Sequence, residues 1–200
     1  MSGIFGLYST DKKNHIPEIP KFFSSYSLPN TINQQSQFQN FSYGRSVINK
    51  FTDNRVSFED SNHIIVFEGI CYNLERGEIV SYIKKIYKNK NLHLFKYLKG
   101  VYSGFIFDKS NNQVFIFTDP LSTKPIYYFH SDNIIVFASE LKVISNILNR
   151  IGINIKENID AWRCLLTFGY MLNDLTPISG VNKLLYGTIL QLDIENKTFS

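Results

Sequence analysis

Few residues in this chain have the type and spacing to do chemistry. Behind Met1 stands Ser2. Loss of Met1 would leave one residue carrying both a hydroxyl and a free α-amine, whose pKa of about 8 suits it to take a proton near neutral pH. Cys71 and Cys164 form no Cys-x-x-Cys pair and lie in apolar contexts, which reads as two reduced core thiols. His15, His63, His93 and His130 are scattered without ligand spacing, so no metal site is expected. The densest basic stretch, KKIYKNK at 84–90, is the obvious nucleic-acid contact in a chain of net charge +4 and pI near 8.9. However, Ile79, Ile83, Ile86 and Tyr87 recur at helical spacing and throw Lys84, Lys85 and Lys88 onto a solvated face, so no nucleic-acid partner is expected.

The elements that must position these residues are mostly strands. β-type runs occur at Gly3–Tyr8, Phe41–Phe51, His63–Cys71, Val101–Asp108, Val114–Asp119, Ile126–His130, Ile134–Ala138 and Thr188–Asp193. The turn clusters KSNNQ at 109–113 and HSDN at 130–133 join hairpins, since Asn and Asp tolerate positive φ. Helical patterns cover Glu75–Lys88, Leu92–Lys99, Glu140–Leu148 and Asn158–Phe168, whereas Ser24–Gln37, polar and aperiodic, reads as a linker. Strand pairs interrupted by helices predict an α+β fold with antiparallel sheets. With 44% hydrophobic and 15% aromatic residues, the 200 residues suffice for one packed domain, 1–200. The chain lacks a membrane-length apolar run and a basic-then-apolar leader, which predicts a cytoplasmic protein with no membrane partner.

The opening MSGIFGL resembles the start of an N-terminal-nucleophile glutaminase, with Ser2 where that family carries a catalytic thiol. Later segments extend the likeness. IVFEGICYNL at 65–74 resembles the Asn-Gly-Glu-Ile-Tyr-Asn element of asparagine synthetase, and LKGVYSGFIFD at 98–108 its Leu-x-Gly-x-Phe-Ala-Phe strand. TDPLSTKPIYY at 118–128 resembles the Arg-Asp-x-x-Gly-x-Lys-Pro-Leu-Tyr-Tyr hairpin, FASELKVI at 137–144 the Phe-Ala-Ser-Glu-Ile-Lys-Ala-Leu helix start, and LTPISGVNKLLYG at 175–187 the stretch near the domain's end. The resemblance to the class II glutamine amidotransferase domain implies a four-layer α-β-β-α sandwich. No Ser-Gly-Gly-x-Asp-Ser pyrophosphate loop is present. No cofactor is therefore expected in this chain, and ATP and Mg are expected only on a synthetase domain or partner.

The same resemblance assigns site positions. Arg45 falls where the family clamps the substrate carboxylate, and a guanidinium is the natural bidentate partner there. The oxyanion-hole position holds Glu68 in place of the family's Asn, followed by Gly69, whose N–H can still donate. An ionised carboxylate about 4 Å from a developing oxyanion repels it by about 4 kcal/mol at an effective dielectric near 20, roughly a thousandfold in rate. Only a neutral Glu68, buried without a cationic partner, would escape that repulsion. The amine clamp, an Asp preceding a helix in the family, falls near Ile79, with Glu78 one position away. The family's His-Arg-Gly-Pro-Asp element is absent between Phe23 and Phe41. Lys124, Tyr127, Tyr128, Glu140 and Lys142 read as structural, and Ser139 as a helix N-cap.

These substitutions predict a degenerate, non-hydrolysing domain with Ser2 a vestigial nucleophile. It would act as scaffold for an ATP-dependent amide- or lactam-forming synthetase, as in β-lactam synthetases and lasso-peptide cyclases, and self-association remains open. The alternative is an active amidohydrolase using Ser2. The scaffold reading further predicts an exposed apolar patch around Asn158–Leu172 and the C-terminal segment.

Overall fold

The computed structural model describes residues 3–11, 16–49, 55–88, 92–194 and 198–199. Their strands, in chain order, are β1 (Gly3–Ser9), β2 (Thr31–Phe38), β3 (Phe41–Ile48), β4 (Arg55–Glu59), β5 (His63–Cys71), β6 (Gly100–Asp108), β7 (Gln113–Thr118), β8 (Tyr127–Ser131), β9 (Ile134–Ala138), β10 (Val181–Lys183), β11 (Ile189–Asp193) and β12 (Thr198–Phe199). The α-helices are α1 (Arg76–Lys88), α2 (Leu141–Arg150) and α3 (Ile159–Phe168). The chain forms two compact units, Met1–Lys50 with Ile126–Leu185, and Phe51–Pro125 with Tyr186–Ser200.

In the first unit the strands run β10-β8-β9-β1-β3-β2, every neighbouring pair antiparallel. Alternation along β1 sends Phe5 and Leu7 to one face, where Val136 and Ala138 join them. Val143, Ile144, Ile147 and Leu148 of α2 close over this face, each at most 1% exposed. At about 1.5–3 kcal/mol for each such side chain, this stripe supplies most of the drive that holds α2 in place.

The second unit repeats the plan with the order β12-β11-β7-β6-β5-β4, again antiparallel. Ile79, Ile83 and Ile86 of α1 pack on Ile65, Phe67, Ile106 and Phe117, and Tyr102 stacks on Phe67 at 5.3 Å. The stripe expected of the basic segment is thus the core face of α1. Its Lys84 is partly buried, 2.5 Å from Asp60 and over the Phe58 ring. The KSNNQ turn is fixed by Asp108, whose Oδ1 accepts from the N–H groups of Ser110 and Asn111. Burial pushes that carboxyl upward, but hydrogen bonds from Tyr87, Asn111 and the two N–H groups outweigh it and hold the pKa below the ordinary value.

Several local expectations need correction. Ser24–Gln37 is no linker, because β2 occupies its second half and continues to Phe38. Polar residues on both faces concealed the strand, whose register comes from β3. The helical stretch expected at Leu92–Lys99 is a 3-10 helix and ends earlier, covering Leu92–Tyr97. Strands β4 and β10 were not anticipated, and Ser139 caps nothing: α2 begins after Glu140, which itself makes no side-chain cap. Both cysteines are free, but they are half-buried rather than core residues.

Candidate functional site

The N-terminal strand of the first unit is held in a polar cradle. Ser139 accepts from the Ile4 N–H through Oγ at 3.0 Å and donates its own N–H to the Ile4 carbonyl at 3.0 Å. A Cβ on Gly3 would lie 2.6 Å from the Cβ of Ser139 and 2.8 Å from the Phe23 ring, so only glycine permits this approach. Across from Gly3 sits Ser46, whose Oγ bonds the Asn33 Oδ1 at 2.7 Å and lies 2.8 Å from the Ser25 Oγ. Glu140 accepts from the N–H and hydroxyl of Ser24. Ser139, read from sequence as scaffolding of a helix start, thus braces the end of β1 that leads to Ser2, and Glu140 holds the segment at Ser24. Ser2 itself lies outside the described residues. Arg45 stands opposite Ile4 on β3 and donates through Nε to Gln34 Oε1 at 2.7 Å.

In the second unit, register sets Glu68, Ser103 and Thr118 side by side on β5, β6 and β7. They are 4%, 0% and 4% exposed, a polar row on the face opposite Ile65, Phe67 and α1. Lys124 donates to Glu68 Oε1 at 3.3 Å, and its carbonyl accepts from the Thr118 hydroxyl at 3.2 Å. Glu68 is thus buried with a cationic partner, Lys124. Among the described residues, the Ser103 Oγ has no hydrogen-bond partner.

Lys124 is aimed by Asp119. The buried Asp119 carboxylate accepts from the N–H groups of Tyr102, Leu121 and Thr123 and from the Thr123 hydroxyl, which winds 119–124 into a fixed loop. Gly69 has φ +138, and a Cβ there would meet the Val101 carbonyl at 2.1 Å. Opposite it, Tyr102 directs its N–H and C=O to Asp119, so the Gly69 backbone groups face away from β6.

The amine-clamp positions diverge. Ile79 is 2% exposed within the apolar cluster beneath the sheet, and Glu78 accepts from the Glu75 N–H at 2.9 Å, closing the first turn of α1. Because α1 starts at Arg76, the acid that directly precedes it is Glu75, which is exposed and was not singled out from sequence. The helix boundary was the missing signal. Among the described residues no group of three or more His, Cys, Asp or Glu side chains could hold a metal, and no helix is long and apolar enough to cross a membrane.

Residues 45–200 match the family model of the glutamine amidotransferase domain. The chain belongs to this family. A Methanocaldococcus jannaschii protein named asparagine synthetase (glutamine-hydrolyzing) 2 is 33% identical over 121 residues, covering 54% of this chain. The chain spans 23% of that relative's length. Two solved structures share the fold, the glutamine phosphoribosylpyrophosphate amidotransferase of B. subtilis with ADP and GMP, and an allosteric regulatory enzyme of purine biosynthesis. Each has 12% identity and a TM-score of 0.50, over 99% of this chain and 48% of the other. The α+β architecture with antiparallel sheets is therefore that of N-terminal-nucleophile amidotransferases. Within this amidotransferase domain, Ser122 stands at the glycine position of the resembled hairpin and adopts a left-handed backbone, at φ 50.

Proposed function

We propose that this amidotransferase domain no longer hydrolyses glutamine and serves as scaffold for a cytoplasmic, ATP-dependent amide- or lactam-forming synthetase. The carrying observation is the Glu68–Lys124 pair. Where the resembled family presents a neutral amide donor, this chain presents a buried carboxylate tied to an ammonium. A carboxylate has no N–H to donate, so even with its charge offset by Lys124 it cannot supply the hydrogen bond that the hole exists to give the oxyanion. The replacement of a thiol by Ser2 compounds the loss, since a hydroxyl depends more heavily on an intact hole and base. ATP and Mg belong to the partner module.

The surface that favours such a partner is α3. Its ends are well formed, with Asn158 accepting from the Ala161 N–H and Gly169 closing the last turn at φ 79, yet Ala161 alone is buried. Ile159, Trp162, Leu166 and Phe168 are exposed, as is Tyr170 just beyond. A helix this regular with so much apolar surface outward fits a docking role. A second reading, hydrolysis by Ser2, draws support from Arg45 and from Glu75 as an acid ahead of α1.

Two variants separate these readings. On the scaffold reading Ser2→Cys alone releases no glutamate from glutamine, while Ser2→Cys with Glu68→Asn gains detectable release. Activity of Ser2→Cys equal to that of the double variant would overturn the role given to Glu68.

A further inference from the structure

The outer edge of β2 is unlike every other sheet edge in the described residues. β10 and β12 are three and two residues long, and β4, five residues, is bounded by Arg55 and Glu59. β2 runs for eight residues, TINQQSQF, with no charge, no proline and an unbroken register against β3. Proteins ordinarily guard long edges with charges, prolines or bulges, because an open edge is a template for another strand. This edge carries none of these guards.

Register decides which groups it offers. The turn at Gln39 and Asn40 closes on the Phe38–Phe41 pair, so alternation makes Ser36–Tyr43, Gln34–Arg45 and Ile32–Val47 the hydrogen-bonded pairs. The Asn49 N–H bond to the Asn30 carbonyl is in phase with this assignment. The N–H and C=O groups of Thr31, Asn33, Gln35 and Gln37 therefore point outward. Beside them the Gln35 side chain bonds the Ile16 carbonyl and the Ile19 N–H, pinning the preceding segment and leaving a groove of about 480 Å³ along the edge. Pro17, Pro20, Tyr26, Asn33 and Gln37 line it with Glu18, whose carboxylate is paired with Lys21 at 2.5 Å.

We propose that β2 is the interface of a symmetric dimer, in which it pairs antiparallel with β2 of a second copy. An antiparallel edge is its own complement, and a neutral strand brings no like charges together although the whole chain is cationic. The register that uses every outward group sets Thr31 against Gln37 of the second copy and Asn33 against its Gln35. Gln34 then faces its own counterpart in a non-hydrogen-bonded pair, at a Cα separation of about 4.5 Å. The two grooves, each lined by the prolines, Tyr26, Asn33 and Gln37 of its own copy, then lie side by side along the paired strands.

The test is light scattering across a concentration series, with disulfide trapping. The unmodified chain dimerises, and Ser36→Lys, a change to an exposed side chain whose backbone groups pair with Tyr43 and not with the second copy, raises the dissociation constant about tenfold with unaltered circular dichroism. In a Cys71→Ser, Cys164→Ser background, oxidised Gln34→Cys yields a covalent dimer because this separation lies within disulfide range, whereas Ser36→Cys does not. A monomer throughout, a dimer indifferent to Ser36→Lys, capture by residue 34 of a different protein only, or trapping at 36 but not 34 would each overturn the proposal.

Discussion

Replacing Asp119 by Ala removes the acceptor that winds the loop presenting Lys124 to Glu68. Three backbone donors lose their partner, with distances of 3.3 Å from Tyr102, 2.9 Å from Leu121 and 3.1 Å from Thr123. They do not lose equally. Tyr102 is 2% exposed, so its N–H finds no water and costs about 1–3 kcal/mol. Leu121 is 78% exposed and Thr123 is also at the surface, so water replaces most of their bond energy and about 0.5–1 kcal/mol is lost at each. The sum is about 3 kcal/mol, or a fall in Tm of about 6–12 °C for a chain of this size. Urea unfolding followed by tyrosine and tryptophan fluorescence reads it directly. Asp119→Asn should fall between, since its amide oxygen still accepts while its NH2 faces a donor. A loss below about 1 kcal/mol in Asp119→Ala would refute the claim that this carboxylate organises the loop.

Ser139→Ala leaves the buried Ile4 N–H without its acceptor and should cost about 1–3 kcal/mol in the same assay. Ser122→Gly relieves a left-handed backbone and removes a buried hydroxyl that has no partner among the described residues, and should raise stability by about 0.5–1 kcal/mol in thermal unfolding. The Asp60 pKa is lowered chiefly by the Lys84 hydrogen bond, which outweighs burial, with help from the N–H groups of His63 and Asn62. Its stabilisation is therefore complete above the unfolded value of about 3.9 and is lost as pH falls below it, and Asp60→Asn should flatten that acid limb in unfolding curves taken at a series of pH values.

What the sequence disclosed followed from local periodicity. Ile79, Ile83 and Ile86 announce α1 because three- and four-residue spacing places them on one face, and the burial of all three follows. β2 has no such pattern. Its position comes from pairing with β3 and from the Gln35 bonds to Ile16 and Ile19, contacts that composition cannot encode. Ser139 misleads for a related reason: a serine ahead of a helix looks like a cap, but its hydroxyl is engaged by Ile4, 135 residues away. Glu68 could be recognised as a substitution within a motif, whereas its ammonium partner lies 56 residues on, on a loop shaped by Asp119. Helix starts decide the remaining site residues, since one turn separates the exposed Glu75 from the core residue Ile79.

The most direct measurement of the central claim is glutamate release from glutamine by the purified chain, with the N-terminus determined by mass spectrometry and Ser2→Ala as control. A domain that has lost this chemistry gives no release above a heat-inactivated sample, whether or not Met1 has been removed. Steady glutamate production by chains that begin at Ser2, abolished by Ser2→Ala, would contradict the scaffold reading and establish an active hydrolase.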